Sequence, residues 1–501
     1  MNAGRLWLIL IMMKQVSGFS ISRIPRSTSH PSFHKVKGGR ATVHPQLLHP
    51  RVVPHYSHYF LDSRLFSESL KPNLERKRHF GIVGGGLAGL SVAYHLILKS
   101  SPSSPIEITI LDRSHSPGIT GASAVAGGLL HPFSPRGKLL HLGLEGLECA
   151  NKLIHAANKM SVTNEAEVSA KQTSVVLREN LYRIAMTERN VKELKITCEN
   201  NPDIATWMSS KDIIDAVHGF DSSNQNILGG VKLEGGCKVV HVPSYLKGLW
   251  KACQSLVEDR KCSCIGIHWK KEIIRNDKNE KGKEKNENGM ENILDQYDTV
   301  ILTAGAGLWN DFILDRSSFS MELVRGQTAQ LTIPAQSVQE ENENESTAYP
   351  SEAILSGKYI TPIPSSLSTK NSYSMVVGAT HEYKETPLSN TEVLEDLKQR
   401  SYHLHPRLWD EGKVDYIKSG WRVQSARSVF GRVPIIGRLD MKKQNDSCGE
   451  WALNDVWIMS GLSSRGLIYH GVYGDILTDA IMNEDGEKVM VEKHPHVNWW
   501  K

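Results

Sequence analysis

Long apolar runs are missing from these 501 residues. The stretch behind Arg5, Leu6 to Met13 (LWLILIMM), falls well short of the roughly 20 residues that span a bilayer, so no membrane partner is expected. Cysteine is sparse: Cys149, Cys198, Cys237, Cys253, Cys262, Cys264 and Cys448 are odd in number and irregular in spacing. That pattern argues against a disulfide framework and for a reducing compartment. The one close pair, Cys262 and Cys264, lacks both CxxC spacing and a second ligand pair, so structural thiols are expected there and no metal. A zinc signature, a P-loop, a defensible Ser-His-Asp order and internal repeats are all absent. With 40% apolar and 23% charged residues, the composition is neither that of a disordered nor that of a fibrous chain.

Acidic residues are lacking from Met1 to Leu61, where Arg5, Lys14, Arg23, Arg26, Lys35, Lys37, Arg40 and Arg51 stand unopposed. The whole-chain charge of +5 less those eight leaves about −3, so the basic isoelectric point gives no support to a nucleic-acid partner. The segment is rich in Ser, His and Pro. Residues 1–70 therefore read as a transit peptide and leader, for the chloroplast or alternatively the mitochondrion, with a secretory signal centred on Leu6 to Met13 as the rival.

What is present begins with an apolar run, His79 to Val83, then glycines, then a helical pattern from Leu87 to Leu98 with Leu90, Ala93, Tyr94 and Ile97 on one face. A second strand, Ile106 to Leu111, ends in Asp112. Strand, glycine turn, helix and strand open a doubly wound parallel sheet. Within Gly84-Gly85-Gly86-Leu87-Ala88-Gly89, Gly84 makes the tight turn, Gly86 admits a pyrophosphate to the backbone, and Gly89 lets the helix pack on the strand. The helix N-terminus offers free N–H groups to the phosphates. Asp112, followed by Arg113, stands where an acid grips the adenosine ribose. NAD and FAD folds share this fingerprint. Tyr297 to Gly307 (YDTVILTAGAG) reads as a later strand of the same sheet ending in a second glycine turn. Two charged inserts, Asn276 to Asn292 and Gln336 to Ser346, read as loops.

The stretches HFGIVGGGLAGLSVAYHL, ITILDR, GASAVAGGLLHP, YDTVILTAGAG, VRGQ, GWRVQSARSVFGRVPIIGR and VWIMSGLSSRGL, spread from about residue 79 to 480, resemble in order the D-amino acid oxidase-like FAD superfamily. Within it the chain looks closest to the flavin domain of the bacterial bifunctional enzyme that makes 5-methylaminomethyl-2-thiouridine in tRNA. Glycine oxidase and sarcosine oxidase resemble it less. The resemblance implies an α/β fold: a Rossmann-like FAD/NAD(P)-binding domain from segments 77–145, 235–310 and 415–485, and an interleaved α+β substrate domain of mostly antiparallel sheet from 146–234 and 311–414.

It also implies FAD, held non-covalently, because no cysteine stands near Arg422 where sarcosine oxidases carry the one that bonds to the flavin. Ser123, Ala124 and Gly127 would run along the isoalloxazine ring, Gly305 along the ribityl side, and Gly461, Ser464, Gly466 and Leu467 beside the flavin carbonyl. Arg422 and Arg465 would hold a substrate carboxylate, with Arg427 a weaker third candidate. Tyr359 reads as core more readily than as pocket, and His470 as a residue that could face the ring. The expected activity is oxidation of a C–N bond in a small amine or amino acid, with oxygen or another electron acceptor. Alternatives are removal of a carboxymethyl group from a modified tRNA uridine, and a flavin-binding assembly factor without turnover.

Overall fold

The computed structural model describes residues 76–162, 174–217, 220, 226–260, 264–274, 290–311, 313–334, 352–364, 372–440 and 455–501. The leader, all of Gln336 to Ser346 and most of Asn276 to Asn292 lie outside them. The first insert ends sooner than the sequence suggests: Met290–Gln296 is a helix, with Met290, Ile293 and Leu294 buried.

Six strands make the first sheet: β1 (Arg78–Val83), β2 (Ile106–Asp112), β3 (Ile265–Lys271), β4 (Thr299–Leu302), β5 (Ile435–Arg438) and β6 (Asp455–Ser460). Their order is β3-β2-β1-β4-β6-β5, all parallel except the β5–β6 pair. Successive side chains on a strand point to opposite faces. Here both faces are dry: Ile82, Ile110, Ile301 and Met459 enter one core, while Val83, Leu111, Leu302 and Ile458 enter another. A sheet buried on both sides needs near-continuous apolar strands, and TVIL in β4 and GIV in β1 supply them.

The first core is closed by helices α1 (Leu87–Lys99), α2 (Gly143–Val162) and α3 (Val242–Asp259), and by the late helix Gly466–Met482. The late helix packs on α1 and α2, and α3 packs on the same two. An eight-stranded mixed sheet follows a separate logic. Its longest strands, Met321–Pro334 and Lys413–Ser425, pair antiparallel with Val324 opposite Arg422. Ala329, Leu331, Ile333, Ile360, Met375 and Val377 pack against Val393 and Leu397 of the helix Asn390–Ser401. That helix begins at a capping box, in which Ser389 and Glu392 satisfy each other's backbone N–H groups. Alternate residues Gly326, Thr328 and Tyr359 point the other way, into the cavity described below.

Four cysteines, Cys149, Cys198, Cys237 and Cys253, are free. Burial raises all four thiols, Cys237 to about 12. Cys264 departs from the expectation of thiols throughout, being disulfide-bonded. Among the described residues, no helix is long and apolar enough to cross a membrane.

Candidate active site

The end of the first sheet opens into a cavity of about 1430 Å³ that continues beneath the second sheet. One end is lined by the glycine turns after β1 and β4. Gly84 has φ +107, and a Cβ there would lie 2.5 Å from the Ala304 Cα, so the turn after β1 and the turn after β4 are pressed together. At Gly89 a Cβ would fall 1.9 Å from the Gly84 carbonyl oxygen. This residue does not line the cavity; it sets how closely α1 approaches β1. Gly86 is different, since a Cβ there would meet only Ser123 Oγ, at 3.4 Å. Gly305 (φ +55) has nothing within 4 Å. These two turns leave an open trough beside the N-terminus of α1, where free N–H groups and the positive end of the helix dipole favour phosphate.

Asp112 lies at the end of β2 on the cavity wall. Its carboxylate accepts from Gly85 N at 2.8 Å, Ser114 N at 2.8 Å and Ser114 Oγ at 2.7 Å. A carboxylate has about four acceptor positions, so it is fixed in place and still able to take a hydroxyl. Arg113 is ion-paired with Asp311, and both line the same end.

The other end brings together residues from distant segments. Leu87, Ala88, Ser123, Gly127, Gly461, Ser464, Arg465, Gly466 and Leu467 line it with Arg422; Ala124 does not. Arg465 caps the late helix, donates to the Arg432 carbonyl at 3.3 Å, and has no ion pair among the described residues. Arg422 sits on Lys413–Ser425. Its Nη2 donates to the His381 ring at 2.7 Å, and its Nε is buried without a partner. Burial holds this guanidinium below its ordinary pKa. Arg427 does not reach the cavity.

Several residues here were not legible as site residues. Tyr359 lines the cavity, its ring filling the space where a Cβ on Gly127 or Gly378 would stand 2.4 Å away, and burial pushes its hydroxyl up to about 12. His381 rides on a loop stapled to the neighbouring strand by reciprocal Arg325–Glu382 backbone bonds. Burial, then the Arg422 charge, lowers His381 to about 4, so it is neutral and able to accept from Arg422. Arg183 and Arg400 add two cations to the lining, and His131 lines the cavity beside them. Arg183 pins the loop at Ser134 and Pro135 through their carbonyls, and burial lowers it to about 10. His131 is lowered to about 3, by burial and then by Arg183 and Arg465.

His470 corrects the expectation that it could face the ring. It is fully buried outside the cavity, with Nδ1 against the Leu467 carbonyl at 2.9 Å and Nε2 against the Tyr245 hydroxyl at 2.6 Å. The late helix is covered by other helices, and the ring at position 470 turns to Tyr245 of α3.

The trough, the fixed acid at its adenosine end and the small-residue wall at its other end fit FAD. The family profile described as "FAD dependent oxidoreductase" (DAO) matches residues 79–480. No curated protein matches by sequence. Among solved structures, glycine oxidase from Geobacillus kaustophilus aligns with TM-score 0.52 and 16% identity, over 80% of this chain and 95% of its own. Iminodiacetate oxidase from Chelativorans sp. BNC1 gives TM-score 0.53 and 16% identity, over 80% and 95%. L-proline dehydrogenase from P. horikoshii gives 0.52 and 14%, over 82% and 94%. At these identities the structural likeness speaks for the fold; the family match over most of the chain, with the site just described, makes this protein a member of the DAO family of FAD-dependent oxidoreductases.

Proposed function

We propose that this enzyme oxidises the C–N bond of a small amine or amino acid carrying a carboxylate, with FAD held non-covalently. The observation that carries the reading is Arg422: a half-buried guanidinium with a buried, orphaned Nε, no carboxylate partner among the described residues, and a place on the cavity wall. A desolvated, unpaired guanidinium is costly to keep, and an incoming carboxylate would supply the missing acceptor. Gly84, Gly86, Asp112 and Gly305 would hold the dinucleotide; Gly127, Gly461 and Gly466 line the part of the cavity that a flat ring would enter. No described cysteine lines the cavity, which supports non-covalent attachment.

FAD supplies a two-electron acceptor for hydride, leaving a substrate imine that water splits into a carbonyl compound and a smaller amine. The protein's own work is positional. Arg422 and Arg465, both on the cavity wall, would orient the substrate by its carboxylate, so that the carbon next to nitrogen is presented in a fixed place. Tyr359 closes the pocket beside Gly127 and narrows what fits. Neutral His381 leaves the charge of Arg422 intact for the substrate. The N–H groups at the start of the late helix would stabilise negative charge developing near Gly461 to Gly466. The basic lining favours an anionic small molecule, and nothing in it favours the tRNA alternative specifically. The electron acceptor is oxygen or another oxidant in this proposal.

Anaerobic addition of N-substituted glycines and amino acids to the yellow holoenzyme tests it. Bleaching of the flavin bands by a carboxylate-bearing amine, abolished in Arg465→Ala, is the expected result. A flavin that no member of the panel reduces would overturn the assignment.

A further inference from the structure

The charge around Arg422 exceeds what one substrate carboxylate would neutralise. Lys358 is 3% exposed, and its ammonium donates to the Ala379 carbonyl and to Asp396 Oδ2, both at 2.6 Å. Arg400, one helical turn beyond Asp396, reaches the other oxygen of the same carboxylate, Oδ1, at 3.1 Å. A single acid thus serves two cations. The buried ammonium has the stronger need of it, because an uncompensated buried charge is far costlier than an exposed one. Arg400 is left with its side chain 61% exposed and an incompletely balanced charge, and it lines the cavity together with Gln399 and His403.

The connection to Arg422 runs along the wall. Lys358 holds the Ala379 carbonyl; the Ala379 methyl and Arg422 Nη1 both stand 3.6 Å from where a Cβ on Gly326 would be. His381, which touches Arg422, lies within electrostatic reach of Lys358, Arg432 and Arg400 as well. The acids that line the cavity, Asp112, Glu272 and Asp311 at the adenosine end and Glu193 beside Arg183, stand apart from this group. Arg432 is turned to the Ser425 carbonyl and does not line the cavity.

We propose that Arg400, on the helix Asn390–Ser401, forms a second anion subsite on the same cavity as Arg422, so that the preferred substrate is an amine bearing two acidic groups. The inference rests on Arg422 binding the first carboxylate. The second group enters between Arg400 and Gln399, where the planar guanidinium offers donors not used by Asp396. The exposure of Arg400 explains why the subsite contributes to affinity rather than to the fold.

The test is ligand binding to the full holoenzyme, read as perturbation of the flavin absorption spectrum. Acetate, malonate, succinate and glutarate are titrated into wild type, Arg400→Gln and Arg400→Lys. The expected result is that one dicarboxylate binds at least about tenfold more tightly than acetate, which is roughly 1.4 kcal/mol. That advantage disappears in Arg400→Gln, is partly restored in Arg400→Lys, and acetate affinity moves less than about twofold. Equal binding of acetate and every dicarboxylate, or a preference that survives Arg400→Gln, overturns the subsite while leaving Arg422 as the carboxylate anchor. If acetate and all three dicarboxylates leave the wild-type spectrum unchanged, both this inference and the carboxylate anchor fall. The exposed position of Arg400 makes misfolding of the variants readily checked by their flavin content.

Discussion

Replacing Arg422 by Met separates what the guanidinium does for binding from what it does to the fold. Two donor positions are at issue, since Nε is orphaned and only Nη2 is engaged, by His381. Two hydrogen bonds to a charged acceptor contribute about 1.5–3 kcal/mol each, net of the bonds to water that they replace. Truncating one side of such a buried pair costs roughly 2–5 kcal/mol. Taking about 3 kcal/mol, kcat/KM for a carboxylate-bearing amine should fall on the order of 100-fold, at 1.36 kcal/mol per decade. An amine of the same size lacking the carboxylate should lose no more than about threefold, because the wild-type guanidinium gives it no bond to lose. Stability should move in the opposite direction. Burial already holds the pKa of Arg422 down, so the unliganded protein carries a desolvation cost that an apolar side chain of similar volume removes. The melting temperature of Arg422→Met should therefore equal or exceed that of wild type. Stopped-flow reduction with the paired substrates and a thermal melt are the assays. A variant that loses both substrates equally and melts lower would refute the reasoning, since Arg422 would then be a structural residue.

Gly89→Ala should strip the protein of FAD, because its Cβ would stand 1.9 Å from the Gly84 oxygen and force α1 away from β1; flavin content after gel filtration measures it. Acid should destabilise the fold early. His470, His405, His95 and His241 are each lowered to about 4 by burial, so between the unfolded value of 6.5 and about 4 the unfolded chain binds more protons than the native one. Stability is then lost as pH falls through that window, and melts from pH 7 to 4.5 should show a monotonic drop; a flat profile would refute it. Residues 1–70 fused to a fluorescent protein should direct it to plastids, with mitochondrial labelling the outcome that favours the alternative and diffuse labelling the one that rejects import.

The parts of this molecule that could be read from sequence are those whose physics is local. Gly84, Gly86 and Gly89 sit within six residues and carry a turn, an open approach and a helix contact, each a property of backbone and its immediate neighbours. Asp112 is reached by one further strand. The sheet face is likewise local, because continuous apolar strands such as TVIL permit burial on both sides. Arg422 and Arg465 were reached only through resemblance, as nothing in GWRVQ or SSRGL by itself says that these side chains turn into one cavity. What escaped was the second sheet's inner face. His381 meets Arg422 across 41 residues because Met321–Pro334 pairs with Lys413–Ser425 on one side and with the Ser372–Gly378 strand on the other, so the loop that follows the latter falls beside residue 422. Arg400 reaches the cavity only after Val393 and Leu397 dock its helix onto the opposite face of that sheet. Tyr359 and His470 were misjudged in opposite directions for one reason. In Lys358–Pro362 alternation sends Lys358 and Ile360 to the helix side and leaves Tyr359 to the cavity, whereas Gly466–Met482 is covered by helices around position 470. A polar residue's role here is decided by which neighbour covers its element, and that neighbour is supplied by pairing across tens to hundreds of residues.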